Sequence, residues 1–434
     1  MKRMKRTLSA LLTGAVLLSM CASSGCAVMN QKKTLSEEEI LALASEKAGQ
    51  VGIAKDDLHG QYSFFLEYMD RVEKNEKLGD FREFVIRLFP EVAAHIRDEN
   101  KALFLDKISK LQFEIGDIEF GGEYHSDTEK VIVSSNYYQW EEGATCFILY
   151  HETFHFVDRY IDGMEQVVTY NGMDFSPLDN EVMYEGSDEY VRCSFADEGM
   201  ADLYVAKSLS KTFDSYRPAC NFLTTMEYIY GSDVVEDMLF DRNTTMKFIS
   251  ILKELDYENS KILKIIKDFN AYTYDFWDAD PVTRSFEDVL VDMYQKKIGP
   301  DWQNDPQFCF LLYNQTRAYS PSRRFSGNYL HSEITNVTEK ELANMQTRCD
   351  TINQTADIFC EEDDPETWHT VFYVDGELWL SEPTWTYDEN DDYEIEIQLL
   401  RYDFEKETIV EHTVVTEMEF PDKLHEDYLA KTKD

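Results

Sequence analysis

One segment constrains the fold of this chain more than any other: residues 146–157, which read "CFILYHETFHFV". Apolar side chains occupy nearly every side of a helix wound through this segment, so the sequence predicts a helix buried in the core. His151, Glu152 and His155 nevertheless lie within it. Because buried polar groups need partners, the core must satisfy two imidazoles and a carboxylate, with either a metal ion or a hydrogen-bond network.

The spacing of the two histidines favours a metal ion. Residues four apart lie on the same face of a helix, so His151 and His155 can direct ring nitrogens to one point. A tetrahedral metal ion accepts such a pair. Glu152 lies about 100° round the helix from His151, and from there its carboxylate can reach a water at the metal without being a ligand. This is the HExxH arrangement of two zinc ligands and a general base.

A third ligand is predicted in "FADEGMADLY", residues 195–204. A catalytic zinc site takes three protein ligands and keeps one position open. Glu198 lies at the start of a predicted helix with Ser194 as its candidate N-cap, and we expect Glu198 to be the ligand. Asp202, on the same helix face, can accept the free ring N–H of one histidine and fix its tautomer. A competing pair with the same spacing, in a loop-like run, is Glu185 and Glu189.

HETFH followed about forty residues later by DEGMAD resembles the gluzincin clan of zinc metallopeptidases, the thermolysin-like group. The resemblance covers roughly residues 110–215 and implies a zincin-like fold. It also implies one zinc ion per chain. The roles that it implies are zinc ligands His151, His155 and Glu198, catalytic base Glu152, and Asp202 as hydrogen-bond partner of a histidine.

The same resemblance bears on how a substrate is held. "GEYHSDTEKVIVSS", residues 122–135, resembles the edge strand beside the active-site helix of such enzymes, where a peptide binds as an added strand. The clan also supplies a Tyr or His that steadies the oxyanion of the tetrahedral intermediate. The candidates here are Tyr190 and His331, which lies near Tyr329. Tyr190 precedes Glu198 by eight residues. In the branch of the clan that resembles anthrax lethal factor, the tyrosine precedes the glutamate ligand by seven residues.

The first 25 residues have the order of a bacterial export signal. A positively charged start precedes the apolar run Leu8–Met20, which is too short to span a membrane comfortably, and small residues follow. "SSGCA" resembles a lipobox, so we expect lipid attachment at Cys26, with Cys21 as the alternative site and a plain secretory signal as the alternative to lipidation. The protein would then lie outside the cytoplasm, anchored to the bacterial membrane through lipid, with residues 26–35 as a polar tether.

The pattern of apolar residues predicts an α+β protein in three parts beyond the tether. Residues 36–109 are predicted as an N-terminal helical region, opened by a capping box of Ser36 and Glu39. Residues 110–350 are predicted as the zincin-like catalytic domain, mostly helical, with a small sheet on its N-terminal side. Residues 364–434 alternate apolar and polar side chains and are predicted as a C-terminal antiparallel β-sheet domain.

Within these parts the pattern predicts particular elements. "LQFEIGDIEF" and "EKVIVSS" are predicted strands, and "GGEYHSDTE" between them carries turn residues. Residues 162–194 are predicted as a loop-rich stretch, and helices are predicted from there to about residue 298. In the C-terminal region, Asp375–Gly376 is a predicted hairpin turn.

Charge and cysteine content limit the partners. A net charge of −42 disfavours binding to nucleic acid and to anionic lipid surfaces. The cysteines form no CxxC pair; Cys146, Cys220 and Cys309 lie in apolar patterns and are predicted to be buried thiols. Cys349 and Cys360 could pair across a short loop, which the sequence leaves open.

These features predict an exported zinc metallopeptidase that hydrolyses peptide bonds in a peptide or protein substrate. Two alternatives remain. One is a retired peptidase whose zinc is structural and whose C-terminal sheet binds a surface ligand. The other is a zinc hydrolase that acts on a non-protein amide bond, such as one in a cell wall.

Overall fold

The structure is a computed structural model. It describes residues 35–118, 121–134, 142–159, 167–170, 172–176, 180–187, 190–210, 216–240, 243–274, 286–318, 337–359, 369–387 and 393–416. These residues form a mixed α+β protein, which confirms the predicted class. The few described residues before Ala44 belong to one compact unit and those from Ala44 onward to another. The predicted lipidation sites Cys26 and Cys21, and also Cys360, lie outside the described residues.

Four helices form the N-terminal region. They are α1 (Glu37–Gln50), α2 (Tyr62–Lys74), α3 (Arg82–Ala93) and α4 (Asp98–Ile108). The predicted capping box opens α1: the Ser36 amide donates to Glu39 Oε2 at 2.8 Å, and the Glu39 amide donates to Ser36 Oγ at 3.3 Å. Aromatic rings from three of the helices pack together, with Tyr68 of α2 centred 5.1 Å from Phe89 of α3 and 6.1 Å from Phe104 of α4.

A three-stranded sheet follows these helices. Its strands are β1 (Phe113–Gly116), β2 (Gly122–His125) and β3 (Lys130–Ser134). β3 lies in the middle, parallel to β1 and antiparallel to β2. The two predicted strands are confirmed, but the segment predicted as the turn between them contains a third strand, because only residues 126–129 turn. β2 is therefore an edge strand.

A second small sheet replaces much of the predicted loop-rich stretch. Its strands are β4 (Val168–Tyr170), β5 (Met173–Ser176), β6 (Glu181–Tyr184) and β7 (Val191–Arg192), each antiparallel to the next. The loop prediction was wrong here because the strands have only two to four residues. Turn residues with positive φ between them, at Gly172, Asn180 and Gly186, dominate the sequence pattern.

Helices make up most of the remaining core. They are α5 (Glu142–Arg159), α6 (Ser194–Leu209), α7 (Arg217–Tyr230), α8 (Ser232–Phe240), α9 (Thr244–Glu254), α10 (Asn259–Tyr274), α11 (Phe286–Lys297), α12 (Pro306–Ala318) and α13 (Glu339–Asp357). α6 is buried along almost its whole length, from Ser194 to Lys207. Gly199 lets α6 approach α7 closely, since a Cβ at that position would lie 2.6 Å from Ala219 Cβ. Cys220 on α7 and Cys309 on α12 are buried free thiols, as predicted.

The predicted C-terminal antiparallel sheet is confirmed. It comprises β8 (Thr370–Val374), β9 (Glu377–Tyr387), β10 (Tyr393–Asp403) and β11 (Thr408–Thr416) in chain order. Asp375 and Gly376 both have positive φ, as the predicted two-residue turn requires. Hydrogen bonds join β8 to α7, where Thr224 Oγ1 donates to the Val371 carbonyl oxygen at 2.7 Å. Cys349 on α13 is a buried free cysteine. Among the described helices, none combines the length and apolar character that a membrane span requires.

Candidate metal centre

The two helices that carry the sequence motifs bring three donor atoms together. His151 and His155 lie one turn apart on α5, and Glu198 lies in the second turn of α6. The two Nε2 atoms are 3.0 Å apart, and Glu198 Oε2 lies 3.1 Å from His151 Nε2 and 3.0 Å from His155 Nε2. All three residues are buried. The three predicted ligands therefore converge on one point, and this group could hold a metal ion.

The size and chemistry of this triangle fit a metal ion. Ligands about 2.0–2.1 Å from a tetrahedral ion lie about 3.3 Å from one another, so the observed edges of 3.0–3.1 Å are only slightly short. A neutral imidazole that carries its proton on Nδ1 presents a lone pair at Nε2. Two such lone pairs and a carboxylate oxygen this close together repel one another unless positive charge lies between them. The site thus requires protons or a cation.

Each histidine is held from behind by its own aspartate. His151 Nδ1 lies 2.9 Å from Asp202 Oδ1, as the sequence predicted for Asp202. His155 Nδ1 lies 3.2 Å from Asp197 Oδ1, a contact that the sequence analysis missed. Both contacts leave Nε2 of each ring directed at the shared point. The carboxylates therefore fix the orientation of both rings and favour the tautomer that leaves Nε2 free for a metal.

The charges of His151, His155 and Glu198 stabilise one another. Burial alone would lower the pKa of His155, but the carboxylates of Glu198 and Asp197 raise it to about 9. Against the same burial, hydrogen bonds to Asp202 and Glu198 raise the pKa of His151 well above its usual value. Burial would raise the pKa of Glu198, yet the two histidines hold it well below its usual range. Both shifts favour protonated histidines in the metal-free protein, so a metal ion must compete with protons.

Glu152 lies beside the donor triangle without belonging to it. Its side chain is buried and lines the same cleft as the histidines. Burial raises the pKa of Glu152, and the charges of His155 and His151 oppose that rise. A carboxylate whose pKa is raised is better suited to accept and return a proton. The close approach of β2 restricts the position of the Glu152 side chain, because a Cβ on Gly122 would lie 3.0 Å from Glu152 Cγ.

Asp197 also connects the site to Arg159 and to a buried acid behind it. An Arg159 guanidinium N–H donates to Asp197 Oδ2. Although burial would raise the pKa of Asp197, Arg159 and then His155 hold it well below its usual range. Asp158 accepts from the Thr244 amide and hydroxyl, both at 2.8 Å, at the start of α9. Burial, and then Asp197, raise the pKa of Asp158 to about 7.

A cleft of about 250 Å³ opens onto these groups. Its walls are formed by Gly122, Glu123, Tyr124, His151, Glu152, His155, Arg159, Arg192, Glu198 and Tyr216. The edge strand β2 thus borders the cleft, in the position that the sequence analysis gave to it. The Tyr216 ring stacks on the His151 ring with centroids 5.5 Å apart and planes inclined by 16°.

Other predicted residues have different positions. Tyr190 is 40% exposed and does not line the cleft, and His331 lies outside the described residues, as do Tyr329 and Glu189. Glu185, the other member of the competing pair, is exposed in a turn. Ser194 is not the N-cap of α6, because the helix already includes it and Cys193 precedes it without a side-chain cap.

The sequence analysis missed Asp197, Arg159 and Tyr216. Asp197 adjoins Glu198, and its role follows from the way α5 and α6 cross: contacts of His151 with Asp202 and of His155 with Asp197 mean that the helices run in opposite directions there. Placing the two motif helices antiparallel would have indicated the contact of His155 with Asp197. Tyr216 lies just before α7, outside any periodic segment, and nothing in the local pattern marks it.

Comparison with known proteins finds no match. No protein-family model, no curated protein and no solved structure matches this chain. The chemistry of the site is therefore inferred from its own geometry.

Proposed function

We propose that this protein is a zinc metallopeptidase of the gluzincin type. The observation that supports this proposal best is the convergence of His151, His155 and Glu198 within 3.0–3.1 Å, beside a buried Glu152 in an open cleft. A mixed sheet with its edge strand along the cleft, next to α5 and α6, supports a zincin-like domain. Export and lipid attachment at Cys26 remain part of the proposal.

The donor set favours zinc over other common metal ions. Two imidazole nitrogens and one carboxylate oxygen are a usual set for catalytic zinc, whereas Mg²⁺ and Ca²⁺ prefer oxygen ligands alone. A zinc ion bound there supplies a Lewis acid, which lowers the pKa of water and polarises a carbonyl group. Three protein ligands leave room for water or substrate, as catalysis requires.

Glu152 performs the proton transfers in this proposal. Its carboxylate accepts a proton from the attacking water and returns a proton to the leaving amine. The environment that raises its pKa helps it to do both. Asp202 and Asp197 keep the imidazole rings in place while charge develops nearby.

The cleft also offers places for the substrate. β2 is an edge strand that borders the cleft, so a peptide can bind along it through main-chain hydrogen bonds. Tyr216 lines the cleft beside His151, whereas Tyr190 does not line it. We therefore propose that Tyr216, rather than Tyr190, stabilises the oxyanion, while His331, which lies outside the described residues, stays a prediction.

The direct test is cleavage of a diverse peptide library by the purified, zinc-loaded protein, with and without a chelator. We expect Glu152→Gln to keep the zinc, measured by metal analysis, and to lose nearly all turnover, because the metal ligands are unchanged while the proton acceptor is lost. Glu185→Gln is the matched control, since Glu185 is exposed in a turn and does not line the cleft. Peptide cleavage by Glu152→Gln at the parent rate would contradict the proposal.

The same samples test the two alternatives. A protein that binds zinc but cleaves no peptide, and instead hydrolyses cell-wall amides, is a hydrolase of another substrate. A protein that binds zinc and hydrolyses neither class of amide is a binding protein with structural zinc.

A further inference from the structure

An arginine at the rim of the cleft forms no ion pair with the acidic residues that the structure describes. The chain has 84 acidic residues and 42 lysines and arginines, so a basic side chain has many acidic residues with which it can pair. Arg401, for example, forms two ion pairs at 3.2 Å, from Nη1 to Glu377 Oε2 and from Nε to Glu411 Oε2. Arg192, at the end of β7, is exposed, lines the cleft and forms no ion pair with an acidic residue in the part of the chain that the structure describes.

A second guanidinium lies in the wall of the same cleft. The Arg159 side chain is only 7% exposed and donates to Asp197. Its Nε is buried and has no hydrogen-bond acceptor among the described residues. A buried charged donor without an acceptor is destabilising. Arg159 therefore keeps donor capacity that Asp197 does not use.

None of the acids that line the cleft forms an ion pair with Arg192 in the described part of the chain. Glu123 Oε2 lies 3.1 Å from His125 Nε2, and Glu198 contacts both His151 and His155. Glu152 is buried beside the same histidines. The rim of the cleft at β7 thus carries a positive charge on a protein that is strongly negative elsewhere.

We propose that the cleft selects peptides that carry a carboxylate, with Arg192 as the residue that binds it and Arg159 as a second donor. This inference rests on the proposed peptidase function and adds the class of substrate. A guanidinium presents parallel N–H groups that match the two oxygens of a carboxylate. The carboxylate can belong to an Asp or Glu side chain or to the free C-terminus of the peptide.

The test measures binding rather than turnover. Zinc-loaded Glu152→Gln protein is titrated with peptides that differ only by Glu or Gln at one position, and with the same peptides bearing a free or amidated C-terminus. We expect the peptide with the preferred carboxylate to bind about tenfold more tightly than its neutral partner, as for a hydrogen bond to a charged group. The pair of peptides that shows the difference identifies the side chain or the C-terminus as the source.

Variants of Arg192 show whether it causes the preference. Arg192→Gln, added to Glu152→Gln, should remove the preference, so that acidic and neutral peptides bind equally, while Arg192→Lys should restore only part of it. Arg401→Gln, made on the exposed face of the C-terminal sheet, is the control and should keep the full preference.

Equal binding of acidic and neutral peptides would overturn the inference, and so would a preference that survives Arg192→Gln. Cleavage by the parent protein separates this failure from failure of the proposed function. If neutral and acidic peptides are cleaved equally well, the peptidase proposal stands and the inference fails. If no peptide is bound or cleaved, both fail.

Discussion

The contact of β2 with α5 gives a prediction that separates catalysis from metal binding. In Gly122→Ala, the added Cβ would lie less than 3.0 Å from Ile148 Cγ2 and 3.0 Å from Glu152 Cγ. Carbon atoms prefer to be about 3.5–4.0 Å apart, so both neighbours are too close by half an ångström or more. Ile148 cannot easily turn away, because a β-branched side chain in a helix has essentially one rotamer. The strand or Glu152 must therefore move.

The expected cost follows from that overlap. Overpacking of a well-packed region typically destabilises by about 1–3 kcal/mol, and we expect a loss of that order in the free energy of unfolding of Gly122→Ala, measured by urea denaturation. Turnover should fall more steeply, because Glu152 is one of the two crowded side chains and a small displacement of a catalytic group is costly. Zinc content should not change, since the three ligands come from α5 and α6.

Two further variants test the reasoning. Gly49→Ala is the matched control: Gly49 lies within α1, and a Cβ there would have no atom within 4 Å, so the change should stabilise the helix slightly, by up to about 1 kcal/mol. Adding Ile148→Ala to Gly122→Ala removes the closest neighbour and should recover part of the turnover. If Gly122→Ala alone is as stable and as active as the parent, the close approach of β2 has no importance and the argument is refuted.

The remaining predictions concern the residues around the metal. Asp202→Asn and Asp197→Asn should each weaken zinc binding about 10–100-fold in a chelator competition, because each ring loses its negatively charged partner; unchanged affinity would contradict the pairing. Tyr216→Phe should lower kcat about 10²–10³-fold with little change in zinc content, whereas Tyr190→Phe should not; equal effects of the two would remove the assignment of Tyr216. Zinc binding to metal-free protein near pH 7 should release protons, measured by calorimetry in buffers of different ionisation enthalpy.

The cluster of donor side chains was predictable from the sequence because the spacings that form it are local. The i, i+4 spacing of His151 and His155 fixes their common face once the segment is helical, and the same rule relates Glu198 to Asp202. Only the contact between the two helices depended on the tertiary fold. The buried polar residues on both helices favoured that contact. The structure brings all four side chains together as predicted.

The surroundings of the centre were less predictable because they depend on contacts between distant segments. β2 has four residues and begins at the second of two glycines, so its sequence resembles a turn; pairing with β3 makes it a strand. The strands β4 to β7 are too short to show a period. Gly122 gave no sign of its role, since only the packing of β2 on α5 makes a side chain there unfavourable. Tyr216 lines the cleft through the path of the chain before α7.

The charge balance of the buried centre connects its pKa values with metal binding. Four buried acids surround the histidines, namely Glu152, Asp197, Glu198 and Asp202. The Arg159 guanidinium balances one of them, and burial raises the pKa of both Glu152 and Asp202. The negative charge that remains lies inside the protein, where unbalanced charge is strongly unfavourable.

Either protons on the histidines or one divalent cation can balance this charge. The pKa of His155 is raised to about 9, and that of His151 is raised well above its usual value. A metal at the Nε2 atoms must displace protons held there, which gives the expected proton release. The release should decline as the pH rises through about 9, since His155 of the metal-free protein then loses its proton unaided. Zinc binding at pH 7 without proton release would show that the histidines are neutral beforehand and that this account of the centre is wrong.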